Sequence, residues 1–310
     1  MAFTQKHILG MYHLEKSDII TLLDTAQGFK EVSNRVIKKV PTLKGRTQIN
    51  MFFENSTRTR TSFEIAGKRL SADTINFSSS TSSTTKGETL MDTAKNIMAM
   101  KPDVIVVRHQ VSGIPKLLAE NLDASIINAG DGAHEHPSQA LLDMFTIREH
   151  FGTLDGLNVL IVGDVAHSRV ARSDLIGMTR LGANVAFCAP RTMMPRQFHV
   201  PGITISSDFE KMLPWADVVI MLRIQLERMH GTPLFPGVEE YSRQWGLNKR
   251  RLNLMRKDAI ILHPGPVNRG VELAPDVADG ERSVILEQVE NGVAVRMSML
   301  YHILHTQEEG

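Results

Sequence analysis

The residues best suited to chemistry form a run at Ser56, where five consecutive side chains can donate hydrogen bonds. The run, Ser56-Thr57-Arg58-Thr59-Arg60, lies between a strand-forming segment and a segment with helical periodicity. Such side chains are poor core material, whereas cationic side chains and the N–H groups at the start of a helix attract anions. The sequence therefore predicts an anion-binding site where a strand meets a helix.

A helix cap is the structural alternative for this run. Thr61 and Glu64 match the S/T-x-x-E pattern of a capping box, in which two side chains bond to free N–H groups of the first helical turn. Capping and anion binding use the same kind of N–H group, so the two interpretations are compatible.

Polar residues also follow other predicted strands. They are Arg108, His134, His136, Gln139, Arg169, Arg223, Gln225 and the segment His263-Pro264-Gly265-Pro266. In an open parallel sheet, ligands bind beyond the carboxyl ends of the strands. Any one of these residues taken alone has a structural explanation as a solvated charge or a satisfied core residue. Several arginines at one rim predict a cationic site.

Motifs for common cofactors are absent from the sequence. The segment 162–171 follows a strand but has one glycine where a dinucleotide site needs G-x-G-x-x-G, and no G-x-x-x-x-G-K-[ST] occurs. His134 and His136 lack a third ligand motif, and H-E-x-x-H is absent. We therefore expect no cofactor and no metal, with the anion held by Arg, Lys and helix N–H groups.

Composition restricts the partners and the location. A formal net charge of +1 gives no global field for nucleic acid or an anionic membrane, and no apolar run approaches the roughly 18 residues that span a bilayer. The single cysteine, Cys188, can form no internal disulfide and is interpreted as a buried, inert thiol. With no signal-peptide pattern at the start, we expect a cytoplasmic protein.

Short apolar segments alternate with segments of helical periodicity. Strands are predicted at 47–53, 74–78, 103–108, 124–130, 158–164, 184–190, 217–223 and 259–266. Helices are predicted at 15–39, 88–100 and 137–152, and on either side of Asn291-Gly292 within 283–307. This alternation predicts an α/β fold with two parallel sheets, each flanked by helices on both faces.

The length of 310 residues suits two domains. The first is predicted over 1–135, with a C-terminal helix at 292–310 that returns to it. Residues 136–156 would form the connecting helix, and 157–291 the second domain.

Seven segments of the sequence resemble the transcarbamoylase family over almost the whole chain. They are 56–64, 86–89, 106–109, 136–143, 167–173, 222–228 and 263–270. The segment "LRIQLER" at 222–228 is similar to the aspartate branch. An ornithine enzyme would be expected to show "HCLP"-type and "SMG"-type motifs, whereas this chain has "HPGP" and no "SMG".

The resemblance implies a carbamoyltransferase that moves the carbamoyl group of carbamoyl phosphate to L-aspartate. The products would be N-carbamoyl-L-aspartate and phosphate, in an early step of pyrimidine biosynthesis. The first domain would bind carbamoyl phosphate and the second aspartate. No covalent nucleophile would be needed, since the amine of aspartate attacks directly.

The resemblance also implies roles for individual residues. The carbamoyl-phosphate set would be Ser56, Thr57, Arg58, Thr59, Ser82, Lys86, Arg108, His136, Gln139, Pro264 and Gly265. Within it, the catalytic residues would be Arg58, Thr59, Lys86, Arg108 and His136. The aspartate set would be Lys86, Arg169, Arg223 and Gln225.

Ser82 and Lys86 lie on a Ser/Thr/Gly-rich loop that, by the resemblance, reaches the site of a neighbouring chain in a homotrimer with shared active sites. The sequence leaves open whether such a trimer stands alone, binds regulatory chains or joins dihydroorotase. Gly265 departs from the family pattern. Many relatives have a larger apolar residue there, and "PGPVNRG" replaces their charged continuation.

Three alternatives remain open from the sequence alone. The first is a transcarbamoylase with another acceptor, which an assay of aspartate against ornithine would identify. The second is a non-catalytic assembly subunit, which should have lost some of the catalytic residues, yet all are present. The third is an anion-sensing protein, which would bind its ligand without turnover.

Overall fold

The computed structural model describes residues 3–78, 88–195, 203–225, 235 and 237–305. The chain divides into two compact units. Unit 1 comprises Met1–Phe145 and Glu290–Gly310, and unit 2 comprises Thr146–Val289. None of the helices in the described ranges is both long and apolar enough to cross a membrane.

Unit 1 is built on a four-stranded parallel sheet. Its strands are β1 Thr47–Phe52, β2 Asp73–Ser78, β3 Val104–His109 and β4 Ser125–Asp131. Its helices are α1 Lys16–Ser33, α2 Thr57–Arg69, α3 Leu90–Met98, α4 Ile114–Asn121 and α5 Pro137–Phe151, the last of which continues into unit 2. The strand order is β2-β1-β3-β4. The chain thus moves outward in opposite directions from the pair β1/β3, which makes this pair the topological switch point.

Unit 2 is built on a five-stranded parallel sheet. Its strands are β5 Asn158–Val162, β6 Asn184–Cys188, β7 Thr204–Ser206, β8 Val218–Met221 and β9 Ile260–Leu262. Its helices are α6 Arg169–Arg180, α7 Phe209–Met212, α8 Val238–Trp245, α9 Lys249–Leu252 and α10 Pro275–Ala278. The helix α11 Ile285–His305 begins here and ends in unit 1. The strand order β7-β6-β5-β8-β9 places the switch point between β5 and β8.

Both sheets are parallel and flanked by helices, so the predicted fold class is confirmed. Strands β3, β4, β5 and β8 are buried along nearly their whole length. A strand covered on both faces reads as a continuous apolar run, which is why these strands could be recognised in the sequence.

Three local predictions were wrong. The ninth strand, β7, was missed because it has three residues at a sheet edge, with Ile205 48% exposed and no apolar run. The first helix was predicted to reach residue 39 but ends at Ser33, since the apolar residues beyond it, Val36 and Ile37, are exposed and provide no packing face. Helix α11 is continuous through Asn291-Gly292, where a break was expected.

The continuity of α11 has a packing explanation. A Cβ atom at Gly292 would overlap the guanidinium group of Arg296 and lie 3.2 Å from the Cδ2 atom of Leu142. Gly292 therefore provides space for close packing within unit 1, and it does not mark a helix end.

Candidate active site

The predicted anion-binding run lies at the start of α2, directly after β1. The helix begins at Thr57 with Ser56 as its N-cap residue, and among the described residues the Ser56 side chain makes no capping hydrogen bond. The cap therefore does not use the N–H groups of the first turn, which point toward the region beyond β1. Thr59 is buried in that turn, whereas Arg58 is exposed.

The capping box predicted from Thr61 and Glu64 was wrong, because both residues lie inside α2. The Glu64 carboxylate accepts hydrogen bonds from Lys68 Nζ and Asn76 Nδ2, each at 2.6 Å. These bonds lower the pKa of Glu64. Glu64 therefore stabilises the helix surface and plays no part in the helix start.

Arg108 lies near the end of β3, beside β1 at the switch point, and is paired in register with Phe52. Its side chain is buried, and Nη1 donates to the Ala129 carbonyl oxygen at 3.2 Å. The same nitrogen lies 3.4 Å from His136 Nε2, and Nε lies 3.5 Å from a carboxylate oxygen of Glu54. The fold thus brings two predicted site residues from β3 and the β4–α5 connection into contact.

His136 and Gln139 are held at the start of α5, and both are buried. The Ser138 hydroxyl lies 3.5 Å from His136 Nδ1. Gln139 Nε2 donates to Asp143 Oδ1 at 2.9 Å. Because a carboxylate only accepts, Asp143 faces the NH2 end of the amide, and the acceptor Oε1 of Gln139 is turned away from it.

In unit 2, Arg169 is the first residue of α6, which follows β5 at the switch point. Arg169 is buried, and the N-cap Ser168 accepts a hydrogen bond from Ala171 N at 3.1 Å. A cation at a helix N-terminus adds to the positive end of the helix dipole. This end of α6 is therefore strongly electropositive and suits an anionic ligand.

Arg223 and Gln225 follow β8 on the other side of the same switch point. Both are partly exposed, and Ile224 between them is fully buried. The buried Ile224 thus anchors the segment, with a partly exposed polar residue on either side of it.

The segment 263–266 follows β9. The Gly265 N–H donates to His263 Nδ1 at 2.8 Å, and His263 Nε2 lies 3.0 Å from Glu272 Oε1. Gly265 has φ +64°, in the left-handed region where a side chain is unfavourable. This conformation is a physical reason for glycine at position 265.

Comparison with known proteins identifies the family of this chain. The family model for the carbamoyl-P binding domain of aspartate/ornithine carbamoyltransferase matches residues 6–149, and the model for its Asp/Orn binding domain matches residues 155–303. The chain belongs to the aspartate/ornithine carbamoyltransferase family.

Relatives and solved structures in this family match over nearly the whole chain. The catalytic subunit of aspartate carbamoyltransferase from Geotalea daltonii is 62% identical and that from Desulfotalea psychrophila 58%, covering 98% and 99% of this chain and 97% and 96% of the relatives. Aspartate transcarbamoylase from Trypanosoma cruzi, solved with carbamoyl phosphate, has a TM-score of 0.88 at 28% identity, with 97% of each chain covered. The M. jannaschii catalytic subunit has a TM-score of 0.85 at 32% identity, covering 99% of this chain and all of the other.

Within this carbamoyltransferase fold, Arg296 was missed by sequence reasoning. It is fully buried on α11, donates to Ser62 Oγ at 2.9 Å and to Ser138 Oγ at 3.4 Å, and lies 5.2 Å from the centre of the Phe63 ring. It thereby joins α2 to the start of α5. Burial lowers the pKa of Arg296 to about 10. The sequence signal that could have identified Arg296 is a charged residue on the apolar face of a helix. Arg296 does not follow a strand, so a search of the residues after strands did not include it.

The remaining predictions fall outside these contacts. Ser82, Lys86 and the end of "LRIQLER" lie outside the described residues. His134 bonds to Asp131 at 3.1 Å in a structural turn. Across the described ranges, no group of three or more His, Cys, Asp or Glu could hold a metal ion.

Proposed function

We propose that this protein is an aspartate carbamoyltransferase. It transfers the carbamoyl group of carbamoyl phosphate to L-aspartate, giving N-carbamoyl-L-aspartate and phosphate in an early step of pyrimidine biosynthesis. The observation that carries the proposal is the buried contact of Arg108 with His136, where Arg108 pairs in register with the end of β1 and the chain continues from β1 to the start of α2. The names of the relatives, and the carbamoyl phosphate and aspartate in the solved neighbours, support the same substrates.

Unit 1 binds the donor. The first turn of α2, with Ser56, Thr57, Arg58 and Thr59, holds the phosphate by charge and by N–H and O–H donors. The amine of aspartate attacks the carbonyl carbon, and the carbonyl oxygen gains negative charge. Thr59, Arg108 and His136 stabilise that charge by donated hydrogen bonds. The C–O bond to phosphate then breaks, and the leaving phosphate accepts the amine proton.

The carbamoyl NH2 group needs acceptors. Gln139 provides Oε1, because its NH2 end is bonded to Asp143. The backbone carbonyl oxygens of Pro264 and Gly265 are further acceptors, in a turn fixed by the bond from Gly265 N to His263. These hydrogen-bond acceptors distinguish the NH2 group of carbamoyl phosphate from its carbonyl oxygen.

Unit 2 binds the acceptor. Aspartate has two carboxylates, and the switch point of the second sheet presents Arg169 and Arg223, with Gln225 beside them. Guanidinium groups suit carboxylates because their paired N–H donors match the spacing of the two oxygens. A basic acceptor such as ornithine would be repelled by two arginines.

The assay that tests this function compares acceptors. Purified protein with carbamoyl phosphate should form N-carbamoyl-L-aspartate, detected by mass spectrometry, and should not turn over ornithine. Turnover of ornithine in place of aspartate would assign another acceptor. Binding of carbamoyl phosphate without any turnover would make the protein an anion-binding protein.

The trimeric state and the cytoplasmic location are part of the same proposal and rest on the family resemblance. A mixture of Lys86→Ala and Arg58→Ala chains, unfolded and refolded together, tests the shared site. Each variant alone should be inactive, while mixed trimers should recover activity at sites that combine the two intact residues. If purified mixed trimers are as inactive as either variant alone, Lys86 does not act in the active site of a neighbouring chain. Native mass measurement identifies any regulatory or dihydroorotase partners.

A further inference from the structure

We propose that Asn268 is a positioning residue that joins the carbamoyl-holding turn to the aspartate-holding segment within unit 2. This inference rests on the proposed function, which assigns Pro264 and Gly265 to the donor and Arg223 and Gln225 to the acceptor. Asn268 has no assigned role in that scheme. It lies in the segment "PGPVNRG" that follows β9.

The Asn268 side chain bridges two elements. Its Nδ2 atom donates to the Ile224 carbonyl oxygen at 2.9 Å and to Glu272 Oε2 at 3.3 Å. An amide nitrogen has two hydrogens, so it can make both bonds. One bond fixes the backbone between Arg223 and Gln225, and the other fixes a buried carboxylate.

Glu272 carries the connection to the donor-binding turn. The side chains of Glu272 and His263 are fully buried, and Glu272 Oε1 accepts from Asn268 N at 2.6 Å. The same oxygen lies 3.0 Å from His263 Nε2. Because His263 Nδ1 accepts from the Gly265 N–H, its Nε2 carries the proton and donates to Glu272.

A continuous series of hydrogen bonds therefore runs from Ile224 through Asn268, Glu272 and His263 to Gly265. It fixes the position of the backbone that carries the acceptor ligands relative to the turn that holds the carbamoyl group. The reaction joins these two substrates, and a misplacement of about 1 Å can cost about 10²-fold in rate. Asn268 is the link whose side chain contacts both Ile224, at one end of the series, and Glu272, which continues it toward Gly265.

The residue type follows from the partners. The Ile224 carbonyl oxygen and the Glu272 carboxylate both accept hydrogen bonds, so the side chain between them has to donate two. An aspartate at position 268 would place a third set of acceptors against a buried carboxylate. A serine would retain one donor at most.

The test uses Asn268→Asp and Asn268→Ser, with Asn184→Asp as the matched control. Asn184 Nδ2 also makes two bonds, to Gly156 O at 3.3 Å and Asn158 Oδ1 at 3.1 Å, but it lies at the amino end of the same sheet. Wild type and the three variants are compared in kcat, KM for aspartate, Kd for inorganic phosphate, and Tm.

For Asn268→Asp we expect KM for aspartate to rise about tenfold and kcat to fall by a similar factor, with a smaller change of the same kind in Asn268→Ser. Phosphate binding should stay within about twofold of wild type, because the phosphate ligands lie in unit 1. Asn184→Asp should keep wild-type kinetics even where its Tm falls.

Two outcomes are distinguishable. Wild type that does not carbamoylate aspartate would overturn the proposed function, and this inference with it. If wild type is active and Asn268→Ser has a lower Tm but unchanged kcat and KM, only the positioning role is overturned. The serine variant decides the matter if the aspartate variant fails to fold.

Discussion

The two switch points of this molecule differ in how deeply the residues predicted to bind substrate are buried. In unit 1 the predicted ligands Thr59, Arg108, His136 and Gln139 are buried, whereas Arg58 is exposed. Arg108 contacts His136, and Gln139 bonds to Asp143. Among the described residues proposed to bind aspartate in unit 2, Arg169 is buried to that degree, while Arg223 and Gln225 after β8 are partly exposed. The buried residues proposed to bind the donor are therefore part of the core around their sheet, whereas two of the residues proposed to bind the acceptor, Arg223 and Gln225, lie on a connecting segment.

This difference suits the two substrates. A phosphate and a developing oxyanion gain most from donors that are already fixed, because the chemical step then needs no reorganisation. The choice of the carbamoyl acceptor depends on a few side chains, and connecting segments tolerate sequence variation more readily than core strands. The family could therefore change its acceptor between aspartate and ornithine while keeping the donor site.

The largest expected effect is at His136. His136→Ala should lower kcat by roughly 10²–10³, the scale for losing one oxyanion donor, while KM for aspartate changes much less. Steady-state kinetics with either substrate varied gives both values. Wild-type kcat in this variant would remove His136 from the chemistry and would contradict the description of unit 1 as the preorganised half.

Arg223→Ala should act on the acceptor alone. Loss of a charge-paired guanidinium costs about 2 kcal/mol or more, so KM for aspartate should rise roughly 30-fold. Calorimetry should show carbamoyl phosphate binding near wild type. Arg250→Ala, which removes an exposed arginine paired with Glu210 in the same unit, is the control and should leave KM unchanged. Equal weakening of both substrates would contradict the division between the units.

Sequence reasoning was most successful where one physical signal dominated. Buried parallel strands have apolar runs, so eight of the nine strands in the described ranges could be recognised, and the polar residues after them could be placed at the sheet edges. The short, exposed β7 has no such signal. Arg296 and Asn268 were missed because they act through residues distant in sequence, Ser138 and Ile224, and no local pattern encodes such contacts.

Arg296→Lys should sharpen the account of unit 1. Lysine keeps the charge but cannot donate to Ser62 and Ser138 with one planar group, so His136 should be held less firmly. We expect kcat to fall about tenfold with KM for aspartate nearly unchanged. Arg46→Lys, at an arginine that pairs with Asp103 beside the amino end of β1, is the control. A kcat loss of the same size in both variants would point to a general effect on stability.

His7 gives a pH-dependent probe of unit 1. Burial, and secondarily Lys6, lower the pKa of His7 below 6.5, and its Nδ1 accepts from Ile126 N at 3.0 Å. As pH falls through 6.5, the unfolded chain gains a proton at this site before the folded chain does, so the free energy of unfolding should decrease. Urea unfolding at pH 7.5 and 5.5 measures this change. His7→Asn can still accept the hydrogen bond from Ile126 N and should weaken the pH dependence of the free energy of unfolding. If that pH dependence is unaltered in the variant, it arises from other titratable groups.

Cys188 offers the corresponding probe of unit 2, with the smallest effect on the native protein. It lies fully buried at the end of β6, and burial raises the pKa of its thiol to about 12. At pH 8 only about one thiol in 10⁴ would then be ionised, and the thiolate is the reactive form. A thiol reagent should therefore label the folded protein very slowly and label it quickly once unit 2 opens in urea. Because this is the single cysteine of the chain, the labelling rate reports on one site.

The urea dependence of labelling compares the stabilities of the two units. If unit 2 is the less stable one, labelling should begin at a lower urea concentration than the loss of phosphate binding by unit 1. Labelling that begins at the same urea concentration as the loss of phosphate binding would show that the two halves are equally stable, and would confine the difference between them to their ligand-binding segments. Labelling that begins only at a higher urea concentration would show that unit 2 is the more stable half.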